Sequence, residues 1–164
     1  MKITLLRHEI AENPEEFEGP SDAMRPLTSK GKKRADKIAQ NFNHVCEPVD
    51  YIASSPFLRA QQTAAPYLDL FTSAHCTEVH WLQPEMDVKI VVKNLKEEKF
   101  EHALLVSHDP LISRLASYLL TATESSFIPF KKGALCSIEF LRDLEPGQGE
   151  LVAFLPPKIM KKVK

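Results

Sequence analysis

Short apolar runs alternate with longer amphipathic segments along most of the chain, and this alternation limits the available folds more than any other feature. Ile3 to Leu6 suits a buried strand. Thr28 or Ser29 then caps a helix carrying Ala35, Ile38, Ala39 and Phe42 on one face. Tyr51 to Ala53 reads as a second strand. Ser54-Ser55-Pro56 opens the next helix, with serine as the cap, proline at the first helical position and an apolar face of Phe57, Ala60, Ala64, Leu68 and Phe71. A short strand is expected near Cys76 to Val79. Val88, Val91, Val92 and Leu95 are mostly β-branched, yet their i, i+3, i+4, i+7 spacing predicts a helix. Ala103 to Val106 is another buried strand, followed by a helix capped by Asp109-Pro110 and faced by Ile112, Leu115, Ala116 and Leu119. Ala134 to Leu141 and Leu151 to Leu155 pair as a hairpin around Pro146-Gly147-Gln148-Gly149. Strands alternating with helices predict an α/β fold, a three-layer α/β/α sandwich with a mainly parallel central sheet and helices on both faces.

A chain of 164 residues suits one domain, spanning 1–164, and a hydrophobic fraction of 43% supplies a sizeable core. Lys and Arg number 21 against 22 Asp and Glu, a net charge of -1 that argues against nucleic acid as the main partner. The basic run Lys158 to Lys164 is expected to be a solvated tail. Cys46, Cys76 and Cys136 are odd in number and far apart, which fits ordinary thiols in a reducing compartment better than disulfides or zinc. The apolar run after Met1 is too short for a signal peptide, and no stretch approaches a membrane span. A cytoplasmic monomer that engages no membrane is therefore expected. The polar stretch from Glu9 to Pro26 is long for a plain connection and reads as a functional or mobile loop.

Ligands of such sheets bind beyond the carboxyl ends of the strands. Arg7-His8 follows the first strand, Ser54 to Arg59 the second, and Ser107-His108 the strand at 103–106. Taken singly, each has a structural explanation: an Arg-His pair closing a strand, a surface arginine, a histidine satisfying a carbonyl. Together they deliver two arginines and two histidines to one edge. Two guanidinium groups hold phosphate oxygens and balance their charge. A neutral imidazole in line attacks phosphorus, and a second, protonated histidine adds positive charge where the transition state is negative. No metal or other cofactor is required. His44, His75, His80 and His102 lack such placement and receive no role.

These residues resemble the histidine phosphatase superfamily, with its phosphoglycerate mutase-like fold, and within it the SixA-type phosphohistidine phosphatases. ITLLRH looks like the superfamily's R-H-G segment, which implies His8 as phosphorylated nucleophile and Arg7 as phosphate ligand. MRPLTSKG (24–31) is similar to the R-P-L-T-x-x-G stretch of the SixA group and implies Arg25 as a further basic residue at the site. SSPFLRAQQTA (54–64) carries Ser54 and Arg59, LQPEMDV (82–88) carries Asp87, and VSHDPL (106–111) supplies His108. The matches occur in the family's order and cover roughly the first two-thirds of the chain.

Two departures shape the functional expectation. Glu9 stands where the family's glycine usually follows the R-H pair, and is expected to weaken phosphate affinity through its like charge. Many superfamily members carry a glutamate two residues after a leucine as general acid, whereas Leu82 is followed by Gln83 and Pro84. An alkoxide leaving group needs a proton in the transition state. An imidazole, with a pKa of about 6.5, leaves far more easily. A site lacking that acid therefore favours phosphohistidine on a protein, such as a phosphotransfer domain of a histidine-kinase relay. The short chain leaves little room for a lid over a small metabolite, which favours the same substrate. Glu85 and Asp87 are candidates for the acid role, Asp87 equally for a helix cap. The alternatives are a phosphatase for a small phosphate ester or sugar phosphate, and a phosphate-binding regulatory module without turnover.

Overall fold

Six strands form one sheet in the computed structural model, which describes residues 1–163. They are β1 (Lys2–Arg7), β2 (Tyr51–Ser54), β3 (His75–Glu78), β4 (His102–Ser107), β5 (Leu135–Glu139) and β6 (Glu150–Leu155), in the spatial order β3-β2-β4-β1-β5-β6. The first four are mutually parallel, β5 runs antiparallel to β1, and β6 antiparallel to β5. The helices are α1 (Ser29–Val45), α2 (Leu58–Leu70), α3 (Val88–Leu95), α4 (Leu111–Thr121) and α5 (Pro157–Met160), with single 3₁₀ turns at Asp22–Met24 and His80–Leu82.

Strand pleating sorts the core into two layers. Ile3, Leu5, Ala53, Ala103 and Leu105 pack beneath α3 and α4 through Val88, Val91, Val92, Leu95, Ile112, Leu115, Ala116 and Leu119. Leu6, Ile52, Leu104 and Val106 face Ile38, Ala39 and Phe42 of α1, Ala60, Ala64 and Tyr67 of α2, and Met160 of α5. The three-layer sandwich is therefore as expected. The chain leaves β1 toward α1 on one face and β4 toward α4 on the other. Since β1 and β4 are neighbours, a crevice opens at their carboxyl ends.

Local chemistry explains the boundaries. Thr28 caps α1, its side chain accepting from Gly31 N at 3.0 Å. Asp87 caps α3 by accepting from Lys89 N at 2.8 Å. Some expectations need correction. Ser54 closes β2 and neither serine caps α2, which starts only at Leu58 with Phe57 as the residue before it. Leu68 is not on the buried face of α2, where Thr63 and Tyr67 lie instead. Neither Asp109 nor Pro110 caps α4 through a side chain, and the bond between them is cis. The basic run at the C-terminus is not a plain solvated tail: α5 buries Met160, whose carbonyl accepts from Asn41 Nδ2, while Lys164 lies outside the described residues. Among the described residues no helix is long and apolar enough to cross a membrane.

Phe42 has no exposed surface and meets Tyr67 edge-on, 5.5 Å between ring centroids, with Phe71 at 6.1 Å. Phe42→Ala is predicted to lower unfolding free energy by about 3–5 kcal/mol in urea titrations, through lost burial and the cavity left between α1 and α2.

Candidate active site

The parallel register sets Arg7 opposite Ser107, and His8 N donates to Ser107 O at 2.9 Å, so the two strand ends reach the crevice side by side. There they line a cleft of about 500 Å³ with Asp22, Arg25, Phe57, Arg59, Glu85, Asp109 and Lys132. The His8 and His108 rings lie 5.0 Å apart.

His8 Nδ1 lies 2.7 Å from the Glu9 carbonyl oxygen, which can only accept. The proton therefore sits on Nδ1 and Nε2 keeps its lone pair, the tautomer a nucleophile needs. Burial pushes the His8 pKa down to about 3; the Glu9 carbonyl opposes the shift, and the charges of Arg59, Arg7 and Lys132 add to it. The imidazole is thus neutral across the physiological range.

His108 is fixed by Ser55, whose Oγ lies 2.8 Å from Nε2 and accepts from Phe57 N at 3.4 Å. The Ser55 hydroxyl both donates and accepts, so this contact serves either tautomer of His108, whose Nδ1 is buried without a hydrogen-bond partner. Burial, the neighbouring His8 and Arg59 push the His108 pKa down to about 2. A neutral His108 does not supply the expected extra positive charge, because two imidazoles and several cations crowd one desolvated space. His108 offers a neutral N–H instead.

The guanidinium groups are braced by the protein. Arg7 Nη1 donates to Phe130 O at 2.5 Å and lies 4.0 Å from Asp109 Oδ2. Arg59, largely buried, donates from Nη1 to Asp22 O at 2.8 Å and from Nη2 to Asp22 Oδ2 at 2.9 Å, with its guanidinium 4.8 Å from the Phe57 ring centroid. Arg25 donates from Nε to Asp22 Oδ1 at 2.8 Å and from Nη1 to Glu12 O at 2.7 Å. Asp22 thus bridges two arginines. Against partial burial, Arg25 and then Arg59 hold its carboxyl below the ordinary value. The stretch from Glu9 to Pro26 is tied back by an antiparallel bridge between Ala11 and Leu27, which brings Asp22 and Arg25 to the cleft. Arg7 Nε and Arg59 Nε, like His108 Nδ1, are buried without a partner.

Arg7, His8, Arg25, Arg59 and His108 therefore converge as the sequence suggests; three other candidates do not. Ser54 lines a separate groove with Gln61, Ala64 and Cys76, and its neighbour Ser55 reaches the cleft instead. Asp87 is spent on the α3 cap and does not line the cleft, whereas Glu85 does. The Glu9 carboxylate faces away from where phosphate would sit. It is buried, accepts from Ile10 N at 3.0 Å and pairs with Arg34 at 3.1 Å; burial pushes its pKa up and Arg34 opposes the shift. Gly133, at φ +79°, leaves the space that this carboxylate fills, and a Cβ there would overlap Glu9 Oε1. The expected like-charge penalty is thus offset by a counter-ion and by direction. Ser55, Asp22 and Lys132 were not anticipated. Among the described residues no three His, Cys, Asp or Glu side chains are grouped to hold a metal ion.

The profile of the histidine phosphatase superfamily (branch 1) matches residues 3–83. Phosphohistidine phosphatase SixA of Escherichia coli (strain K12) is 30% identical over 123 residues, 73% of this chain and 74% of that protein. The solved structure of protein histidine phosphatase SixA complexed with tungstate superposes with a TM-score of 0.82 at 26% identity, covering 96% of this chain and 98% of that one. The α-ribazole phosphatase of Shigella flexneri shares the fold, with a TM-score of 0.76 at 17% identity over 96% of this chain and 97% of that one. The chain belongs to the histidine phosphatase superfamily, as a phosphatase of the SixA type with the phosphoglycerate mutase-like fold.

Burying two neutral histidines has a stability consequence. In the unfolded chain both titrate near 6.5; in the folded protein they do so only near 3 and 2. Above pH 6.5 neither state binds these protons. As pH falls below 6.5 the unfolded state takes them up first, so stability is lost progressively toward pH 3, by about 1.4 kcal/mol per pH unit for each histidine. Urea midpoints measured from pH 7 to 4 are predicted to fall more steeply for wild type than for His8→Ala. Equal slopes would contradict a buried neutral His8.

Proposed function

We propose that this phosphatase hydrolyses phosphohistidine on a protein through a phospho-His8 intermediate. The observation that carries the reading is a neutral His8 with Nε2 unprotonated, set among Arg7, Arg59 and His108, each with a buried side-chain nitrogen that has no protein partner. A phosphoryl group satisfies the two arginine donors, and His108 Nδ1 in the tautomer that carries its proton there. His8 Nε2 attacks phosphorus, the N–P bond of the substrate breaks, and the departing imidazole nitrogen takes a proton from solvent. Water then attacks the phosphoryl group, the His8 N–P bond breaks, and inorganic phosphate leaves. Arg7 and Arg59 balance the charge on the equatorial oxygens, His108 donates a hydrogen bond, and Arg25 orients the substrate. No metal or organic cofactor takes part.

The preference for an imidazole leaving group rests on Gln83 and Pro84, which put no carboxylate directly after Leu82. A protein partner fits a cleft whose rim residues Pro14, Asp22 and Glu85 are exposed. We read the chain as one domain, monomeric in action, serving a histidine-kinase relay. The three free cysteines suit the reducing cytoplasm.

Glu85 in the cleft favours one second reading, turnover of small phosphate esters with Glu85 as general acid. Phosphate release from a phosphohistidine-bearing phosphotransfer domain is predicted to exceed release from any alkyl phosphate, and to fall at least about 10³-fold in His8→Ala. Faster turnover of alkyl phosphates, with kcat falling about 10²-fold or more in Glu85→Gln, establishes the second reading instead.

A further inference from the structure

Four cations line the cleft, and three of them have protein counter-charges. Arg25 and Arg59 share Asp22, and Arg7 lies 4.0 Å from Asp109. Lys132 has no ion-pair partner within 4.0 Å among the described residues, although it lies in the same cleft. Partial burial, followed by the charges of Arg7 and Arg25, lowers its pKa. The Lys132 side chain is exposed overall while lining the cleft, so solvent screens part of this crowding, and the backbone fixes where the side chain begins.

Several contacts do that fixing. Arg34 Nη2 donates to the Lys132 carbonyl at 3.1 Å and pairs, also at 3.1 Å, with the buried Glu9 carboxylate. Gly133, whose lack of a Cβ admits that carboxylate, donates from N to Arg7 O at 3.0 Å. Ala134 N donates to Lys131 O at 2.8 Å, closing the turn. The side chain that replaces the usual glycine after the nucleophile is thus the buried anchor of the turn carrying the unpaired lysine. The Glu9 backbone, meanwhile, orients His8 through its carbonyl and donates to Thr63 Oγ1 at 3.0 Å.

We propose that Lys132 is a phosphoryl-binding residue of this cleft, a cation added to Arg7 and Arg59, with the Glu9–Arg34 pair as its positioning element. The assignment rests on the phosphatase reading of the same cleft. A dianionic phosphoryl group supplies the counter-charge that Lys132 lacks and relieves its repulsion from Arg7 and Arg25.

The test is binding of inorganic phosphate by calorimetry at low ionic strength, which needs no turnover. Lys132→Ala is expected to weaken binding about tenfold with an unchanged melting temperature, and Lys132→Arg to restore it to within about threefold. Arg34→Lys keeps a charge beside Glu9 but shortens the fork that reaches the Lys132 carbonyl. It is expected to weaken phosphate binding in the wild-type background and to have no further effect in Lys132→Ala. Lys132→Ala binding phosphate within twofold of a wild type that binds it overturns the role of Lys132 and leaves the phosphatase reading standing. Additive effects of Arg34→Lys and Lys132→Ala overturn the positioning role. A wild type that binds no phosphate overturns both the lysine assignment and the anion cleft on which it rests.

Discussion

Parallel pairing of β1 with β4 is the constraint on which the cleft depends. From Lys2 opposite His102 to Arg7 opposite Ser107, the ladder is in register over the whole of β1, and His8 N extends it with one more bond to Ser107 O. A slip of one residue would turn Leu5 and Leu6 onto the wrong layers and separate His8 from His108. The two apolar layers therefore fix the spacing of His8 and His108 as a by-product of burial. Because β1 and β4 send their helices to opposite faces, no helix covers the point where they end.

Around that point, charge is organised by bracing. Asp22 spans Arg59 and Arg25, the Phe130 carbonyl holds Arg7, and Ser55 holds His108. The histidines lose basicity in their seclusion, and neutrality suits the proposed chemistry: His8 keeps a lone pair and His108 one N–H. Arginines stay charged in such surroundings, so the positive potential comes from guanidinium groups and from Lys132, while the imidazoles supply direction.

Much of this is legible in the sequence because it is periodic or terminal. The α3 face of Val88, Val91, Val92 and Leu95 follows from helical spacing, Arg7 from its place at the end of an apolar strand, and His8 and His108 from theirs just past one. Ser55 lies one residue past β2 and His108 one past β4, where strand parity no longer applies, so their contact carries no local signal. The late start of α2 was not legible, since Ser54-Ser55-Pro56 carries the ordinary marks of a helix start. Asp22 and Lys132 obey no period. Their places depend on contacts with Arg59 and Arg34, far away in sequence, and loops carry no local signal for such partners. Glu9 shows the limit from the other side, since its identity implied a like charge at the phosphate and only Arg34 and Gly133 reveal where the carboxylate goes.

The proposed chemistry turns on His8 carrying the phosphoryl group during turnover. Rapid mixing with a phosphohistidine-bearing phosphotransfer domain, quenched in alkali and mapped by peptide mass spectrometry, tests it most directly. An acid-labile phosphoryl group is expected on His8, appearing before free phosphate accumulates and decaying as turnover ends. Phosphate released with the peptide containing His8 unmodified at every time, or a phosphoryl group found on another residue, would contradict it.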